Sequence, residues 1–321
     1  AVAVGASIAT ASRTSSVAAR VLNGATISTS QLLVGAAGAG TLSTTATALG
    51  GGIVAGSGAD AEATENSSVL AEIGASASIT TSASGIGTLV SAAIAPNLSS
   101  EAIGVSVGGG AVGVAIAQST VGATVTADVG DGVSFSGGAL DVSAKALVPT
   151  SGTTTWAKAL AGGGGSLIGA QGSYAKASQN ATVSAYGGVG IRLPNANVTI
   201  EAENDSAQYA EATGLSTGFL ALGATVAQTS SSAHTYAYLG APADMDGLNH
   251  GNYTGVLWIK ATGTDANLSN AKVGAGGTYA GAAAVANTSS TTVTNARFDG
   301  GSTDDTLYFG GFRIDAKHTT N

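Results

Sequence analysis

The chain has 321 residues, of which 49 are glycine, 9% are charged and 5% aromatic, and its formal net charge is −8. Disordered chains combine low hydrophobicity with high net charge; 44% hydrophobic residues exclude that class and point to a core of Ala, Val, Ile and Gly. Nucleic acid and anionic membrane both select clustered Lys and Arg, and an acidic chain with no basic run excludes them as partners. Cysteine is absent, which removes disulfides and thiolate metal sites. The opening AVAVGASIATASR lacks the charged and strongly apolar regions of a signal peptide. The most lipid-like segment, Gly104–Ala117, is 14 residues against the roughly 20 a spanning helix needs, so no membrane span is expected.

Along the chain one motif returns six times. Paired alanines ten residues apart stand at Ala9/Ala19, Ala61/Ala71, Ala117/Ala127, Ala175/Ala185, Ala227/Ala237 and Ala286/Ala296. The second members are 52, 56, 58, 52 and 59 residues apart, the signature of one structural unit copied along a single elongated domain. Approximate units are 1–52, 53–104, 105–161, 162–215, 216–274 and 275–321. A second anchor alternates apolar and polar residues around Ile27, Ile79, Val142, Ile200, Ile259 and Ile314; period-two alternation is strand periodicity. From second alanine to anchor the distance is 8 residues in the first two units, then 15, 15, 22 and 18. Growth at one point of a repeat is surface-loop behaviour, and the longest insertion covers residues 241–255.

A unit of this length made of short strands fits two or three coils of a parallel β-solenoid (β-helix). Five to six imperfect repeats of 52–63 residues then make an all-β rod roughly 50–80 Å long. A propeller repeats at a similar length but wants an aromatic signature in each blade, which is missing. Neither AVAVGASIATA nor GGFRIDAKHTTN reads as a cap, so the coil is expected to continue, in more chain or in the next molecule of a filament.

Motifs that suggest chemistry are each outweighed by a structural reading. Gly104–Gly108 matches G-x-S-x-G around Ser106, but strand follows where the nucleophile elbow needs a helix. Gly108, Gly110 and Gly113 match G-x-G-x-x-G, again without the helix that would face a phosphate. Asp244, Asp246 and Asn249 in the long insertion, and Asp305 in the DGGSTDDTLY segment, are oxygen ligands that could hold Ca²⁺, while turns account for the same residues. No other cofactor is expected. Glu201, Glu203 and Asp205 alternate and so share one face; paired carboxylates serve glycosidases, and an outer charged stripe is the simpler reading. Eight N-x-S/T sequons, from Asn66 to Asn287, offer glycan sites if the chain is exported.

Gly108–Ala117, Thr126–Gly130 and Leu140–Ala144 follow one another as a glycine-rich apolar strand, a T-A-x-V-G step and a strand ending V-x-A. This pattern, continued in 172–204 and 223–240, resembles the β-strand repeats of large bacterial surface exoproteins, the leukotoxin-like and filamentous-haemagglutinin-like adhesins. The resemblance implies a secreted or bacterial cell-surface, extracellular β-helical protein. A non-enzymatic adhesin shaft or self-assembling filament subunit is the expected function, its partners being itself end to end or the flanking repeats of a longer chain. The alternatives are a module binding a glycan or a host or abiotic surface, and a polysaccharide-active β-helix enzyme.

Overall fold

The computed structural model describes residues 1–150, 152–241, 244–245, 255–299 and 309–320, with residues 244–245 described by backbone alone. Every regular element among them is a strand and every strand pairing is parallel. Short strands form a six-membered ladder: Ser16–Val21, Ser68–Ile73, Thr124–Val129, Thr182–Gly187, His234–Leu239 and Val293–Phe298. Its register sets Ala19, Ala71, Ala127, Ala185, Ala237 and Ala296 in one row. In the ten-stranded sheet Ala9, Ala61, Ala117, Ala175, Ala227 and Ala286 form another. A third, smaller ladder runs from Thr26–Thr29 through Ser78–Thr81, Ser134–Ser136 and Arg192–Leu193 to Asp244–Met245.

Each unit therefore supplies one layer, not the two or three coils its length suggests. Its strands are long: Leu32–Glu65 has 34 residues and Ile86–Val121 has 36, because the Gly/Ala-rich strand and the segments before it run on as one strand rather than as separate short ones. Six layers at ~4.8 Å stack to about 24 Å. The 20-residue strand Val198–Thr217 alone spans about 66 Å. One chain is thus broader across its layers than tall along the stack, which corrects the expected 50–80 Å rod.

The second anchor also needs correction. Val34, Val90, Val142, Ile200, Ile259 and Ile314 share one row of the large sheet. Ile27 and Ile79 belong instead to the small ladder, where Ile79 pairs with Phe135. Both segments alternate in the same way, so periodicity could not separate them. From this row to the next alanine row is 37 residues in four units (Val34 to Ala71, Val90 to Ala127, Ile200 to Ala237, Ile259 to Ala296) and 43 in one, Val142 to Ala185. The extra residues split that layer's strand into Ala139–Ala146 and Thr155–Gln179. With Ile86–Val121 and Val198–Thr217 the two pieces close a four-strand circuit around the interruption.

Inside, side-chain size falls from one end of each layer to the other. The wide end holds Val, Ile and Leu, including Ile73, Val125, Leu193, Ile200 and Leu239. The narrow half holds alanine alone in its buried cluster, Ala46, Ala102, Ala117, Ala159, Ala175 and Ala212 among them. There the chain doubles back on itself, so that the Ser100 and Ser119 hydroxyls meet at 2.9 Å and those of Thr229 and Ser269 at 3.0 Å. Toward the tip even a methyl group does not fit. A Cβ on Gly50 would lie 2.5 Å from the Gly56 carbonyl oxygen, and one on Gly104 would collide with that of Val114.

A polar seam separates the two cores. Glu65, 1% exposed, is held by Arg13 and by the Ser67 hydroxyl at 2.9 Å. Gln208 donates to Gln179 at 2.8 Å, and Gln179 donates to Asn204 at 3.2 Å. Asp265, also 1% exposed, pairs with His318 at 2.6 Å. At the wide end, Gly24, Ser76, Gly132 and Gly190 adopt positive φ and stack as a column of turns. Asn23 and Asp131 reinforce it by accepting backbone N–H bonds from Ala75 and Val189 in the next layer, at 3.0 and 2.7 Å.

Gly104→Ala should lower stability by about 1–3 kcal/mol, since overpacking forces the two backbones apart. Gly58→Ala, whose Cβ meets nothing within 4 Å, should leave stability unchanged or slightly raised. Urea unfolding midpoints of the two variants check the contrast.

Candidate functional site

Phe135 is the one ring buried in the core among the described residues, and the described tyrosines and tryptophans stand on the outside of the sheets. The short-strand ladder shows this placement most fully. Its inward rows are filled by Val69, Val125 and Val183, by the repeat alanines and by Ile73, Val129 and Leu239. Strand alternation turns the residue after each repeat alanine outward. Those residues make one column: Arg20, Glu72, Asp128, Tyr186, Tyr238 and Arg297.

The column begins with the Arg20–Glu72 ion pair at 3.0 Å. Above it, burial pushes the Asp128 carboxyl up to about 6, with Glu72 and Asp131 adding like-charge repulsion. Tyr186 and Tyr238 then meet edge to face, centroids 5.9 Å apart. The Tyr238 hydroxyl donates to Asp299 at 2.7 Å, which raises the phenol and lowers the carboxylate; Arg297 lies over the Tyr238 ring at 5.7 Å and pairs with Asp299 at 2.7 Å. Beside this column the rings of His234 and Tyr236 stack, 6.0 Å apart. The result is an aromatic strip bordered by carboxylates and guanidinium groups. It can stack on flat apolar ring faces and exchange hydrogen bonds at its margins.

The large sheet carries a second outward group. Glu201 is bonded by Lys145 at 2.8 Å and Lys260 at 2.6 Å, and Lys145 also reaches Glu203 at 2.9 Å. Burial pushes the Glu201 carboxyl up, but the two lysines outweigh it and its value falls. Trp258 donates its indole N–H to Asp315 at 2.8 Å beneath the cations of Lys260 and Arg313. Glu201 and Glu203 thus neutralise lysines of neighbouring layers. Asp205 is pushed up chiefly by burial.

The other residues singled out by sequence fall as follows. Ser106 is fully buried in strand Ile86–Val121; its hydroxyl bonds Ser57 at 2.9 Å and the Val112 carbonyl at 2.8 Å. Gly108, Gly110 and Gly113 lie in the same strand. The sequon residue Asn204 is buried, its amide donating to the Ala181 carbonyl at 3.4 Å, out of reach of modification. The backbone of Asp244 pairs with Arg192, while Asp246, Asn249 and Asp305 lie outside the described residues. Among described residues no group of three or more His, Asp or Glu side chains is placed to hold a metal ion, and no helix is long and apolar enough to cross a membrane.

No protein-family model, curated protein or solved structure matches the chain.

Because the folded-state value of Asp128 lies above the ordinary 3.8, the folded protein binds the extra proton between about pH 4 and 6. Its contribution is present below that window and lost as pH rises through it. Asp128→Asn should therefore raise the unfolding temperature at pH 7 and match wild type near pH 3.5. An unchanged or lower midpoint at pH 7 would remove the Glu72–Asp128–Asp131 repulsion from the account.

Proposed function

We propose that the chain is a run of layers of a parallel β-solenoid whose role is structural: an extracellular, non-enzymatic shaft of a secreted or bacterial cell-surface adhesin, or a filament subunit. The observation that carries this reading is the register itself. Every layer offers the next the same rows of alanine and anchor residues at offsets of 52–59 residues, so any layer is a template for another. Further layers, from flanking repeats or from copies joined end to end, would lengthen the stack without new contacts having to evolve. Charged side chains support the same role, because they pair with charges of adjacent layers (Arg13–Glu65, Arg20–Glu72, Lys158–Glu101, Lys272–Glu211) rather than converging on a cleft.

The strip of Tyr186, Tyr236 and Tyr238 favours a second role, a glycan-binding face on the same scaffold, since tyrosine rings stack on the apolar faces of sugars. Under that reading Tyr186→Ala with Tyr238→Ala abolishes retention on a neutral polysaccharide column without changing the unfolding midpoint.

Negative-stain electron microscopy of the purified chain, with and without calcium, tests the structural reading. Fibres growing well beyond the ~66 Å breadth of one layer are the expected outcome for a filament subunit. Discrete flat particles fit a portion of a shaft, fibres seen only with calcium assign the ion a structural part, and compact globules overturn the proposal.

A further inference from the structure

The narrow half of the layers is unlike the rest of the surface. The register stacks residues 2–9, 46–61, 102–117, 159–175, 212–227 and 271–286 together, and these spans hold only two charged side chains, Asp60 and Lys272, one of each sign and both beside the inner end of a span. The net charge of −8 is therefore carried elsewhere. Along the tip, where each layer turns back, large apolar side chains point into solvent. Leu49, Ile53, Val107, Leu167, Leu215 and Phe219 expose between 52% and 71% of their surface.

Packing explains why they are outside. A row that narrows to Ala and Gly has no interior place for a leucine or phenylalanine, and strand alternation gives every second residue to the outer face. It does not explain why that face is aliphatic; Thr or Ser would fit equally well and remain soluble. With Val54 and Tyr279 beside them, the six side chains bring the exposed apolar surface to roughly 700 Å². A standard interface takes about 800 Å² from each partner, and patches on ordinary monomers stop at a few hundred.

We infer that this apolar rim is a lateral docking surface and that its occupant is a second copy of the chain, tip against tip. Two features of the rim select that partner. Its area is close to what a stable homodimer takes from each copy, and its lack of charge lets two molecules of net charge −8 approach with their like charges held apart. The same patch on both copies closes with two-fold symmetry, so association stops at two. Stacking of layers would be open-ended and lies at right angles to this contact. The inference goes beyond the structural role proposed above, since it joins stacks side by side and does not depend on how they lengthen.

Sedimentation velocity on the 321-residue chain over 1–100 µM is the test, with Leu167→Glu plus Phe219→Glu as the rim variant and Leu22→Glu, an exposed leucine at the wide end, as the control away from the rim. Wild type and control should form a species of twice the monomer mass, and the rim variant should lose at least tenfold in dimer affinity at an unchanged unfolding midpoint. Because the chain has no cysteine, Leu167→Cys adds an independent readout: under mild oxidation it should give a disulfide-linked dimer, which Thr126→Cys should not. A monomer at 100 µM, a dimer indifferent to the rim charges, or equal crosslinking at both positions would overturn the proposal. So would a wild-type monomer that floats with neutral phosphatidylcholine vesicles, which would make lipid the occupant. An open-ended mass series lost only on substitution at the first or last layer would do the same, leaving the stacking reading in place.

Discussion

The structure depends on one contact, the backbone-to-backbone approach of the two runs of each layer in its narrow half. Two sheets ordinarily pack about 10 Å apart with side chains between them. Here alanine methyls and bare glycine α-carbons fill that space, as in the buried row of Ala46, Ala102, Ala159 and Ala212. The hydrophobic return per residue is small, so stability in this half rests on the continuous parallel ladders that the close approach lines up. The same contact explains the unit length. A strand slipped by one residue against its neighbour would set its glycines against that neighbour's side chains, and four of the five intervals from anchor to alanine row hold at 37 residues. The one longer interval places five of its extra residues between Ala146 and Thr155 and the sixth at a register shift between Gly165 and Ile168.

Excluding large side chains from the narrow half, and most rings from the wide one, makes the outside chemically rich. Tyr186, Tyr238, Trp258 and the tip leucines stand where strand alternation leaves them, and neighbouring layers bring like positions within reach of one another. Rows that would repel are made to alternate or to end on a neutral group: Lys145 with Glu201 and Lys260, Glu101 with Lys158, Glu72 with Arg20. Asp128 is the departure. Burial, with Glu72 and Asp131 adding like-charge repulsion, pushes its carboxyl up to about 6.

Several buried polar groups lie at the boundary between the two cores. Arg13 with Glu65, Gln179 with Gln208, and Asp265 with His318 meet inside at the level where valine and isoleucine give way to alanine. Such pairs are costly to break, because removing one member leaves the other uncompensated in a dry interior. They fix where the wide core ends, and with it the point at which the two sheets converge. Outward from that line the molecule presents a charged and aromatic half and an uncharged aliphatic rim, surfaces suited to different partners.

Much was legible without coordinates. The alanine spacing 19, 71, 127, 185, 237, 296 is a strand register written in the sequence, because only a stacked row under uniform packing demands the same small residue each time. Alternation around Val142, Ile200 and Ile259 marks strands for the same reason. What only the tertiary structure decided is how those strands share a layer. The x-Ile-x-Thr alternations at Ile27 and Ile79 resemble the anchor row, yet they lie in a different sheet, since periodicity records which face a residue takes and not which strand it meets. One layer per unit, the tyrosine column that follows the alanines, and the charge-free rim all arise from residues some 50–60 positions apart being stacked. Parallel pairing sets that distance, and no local pattern contains it.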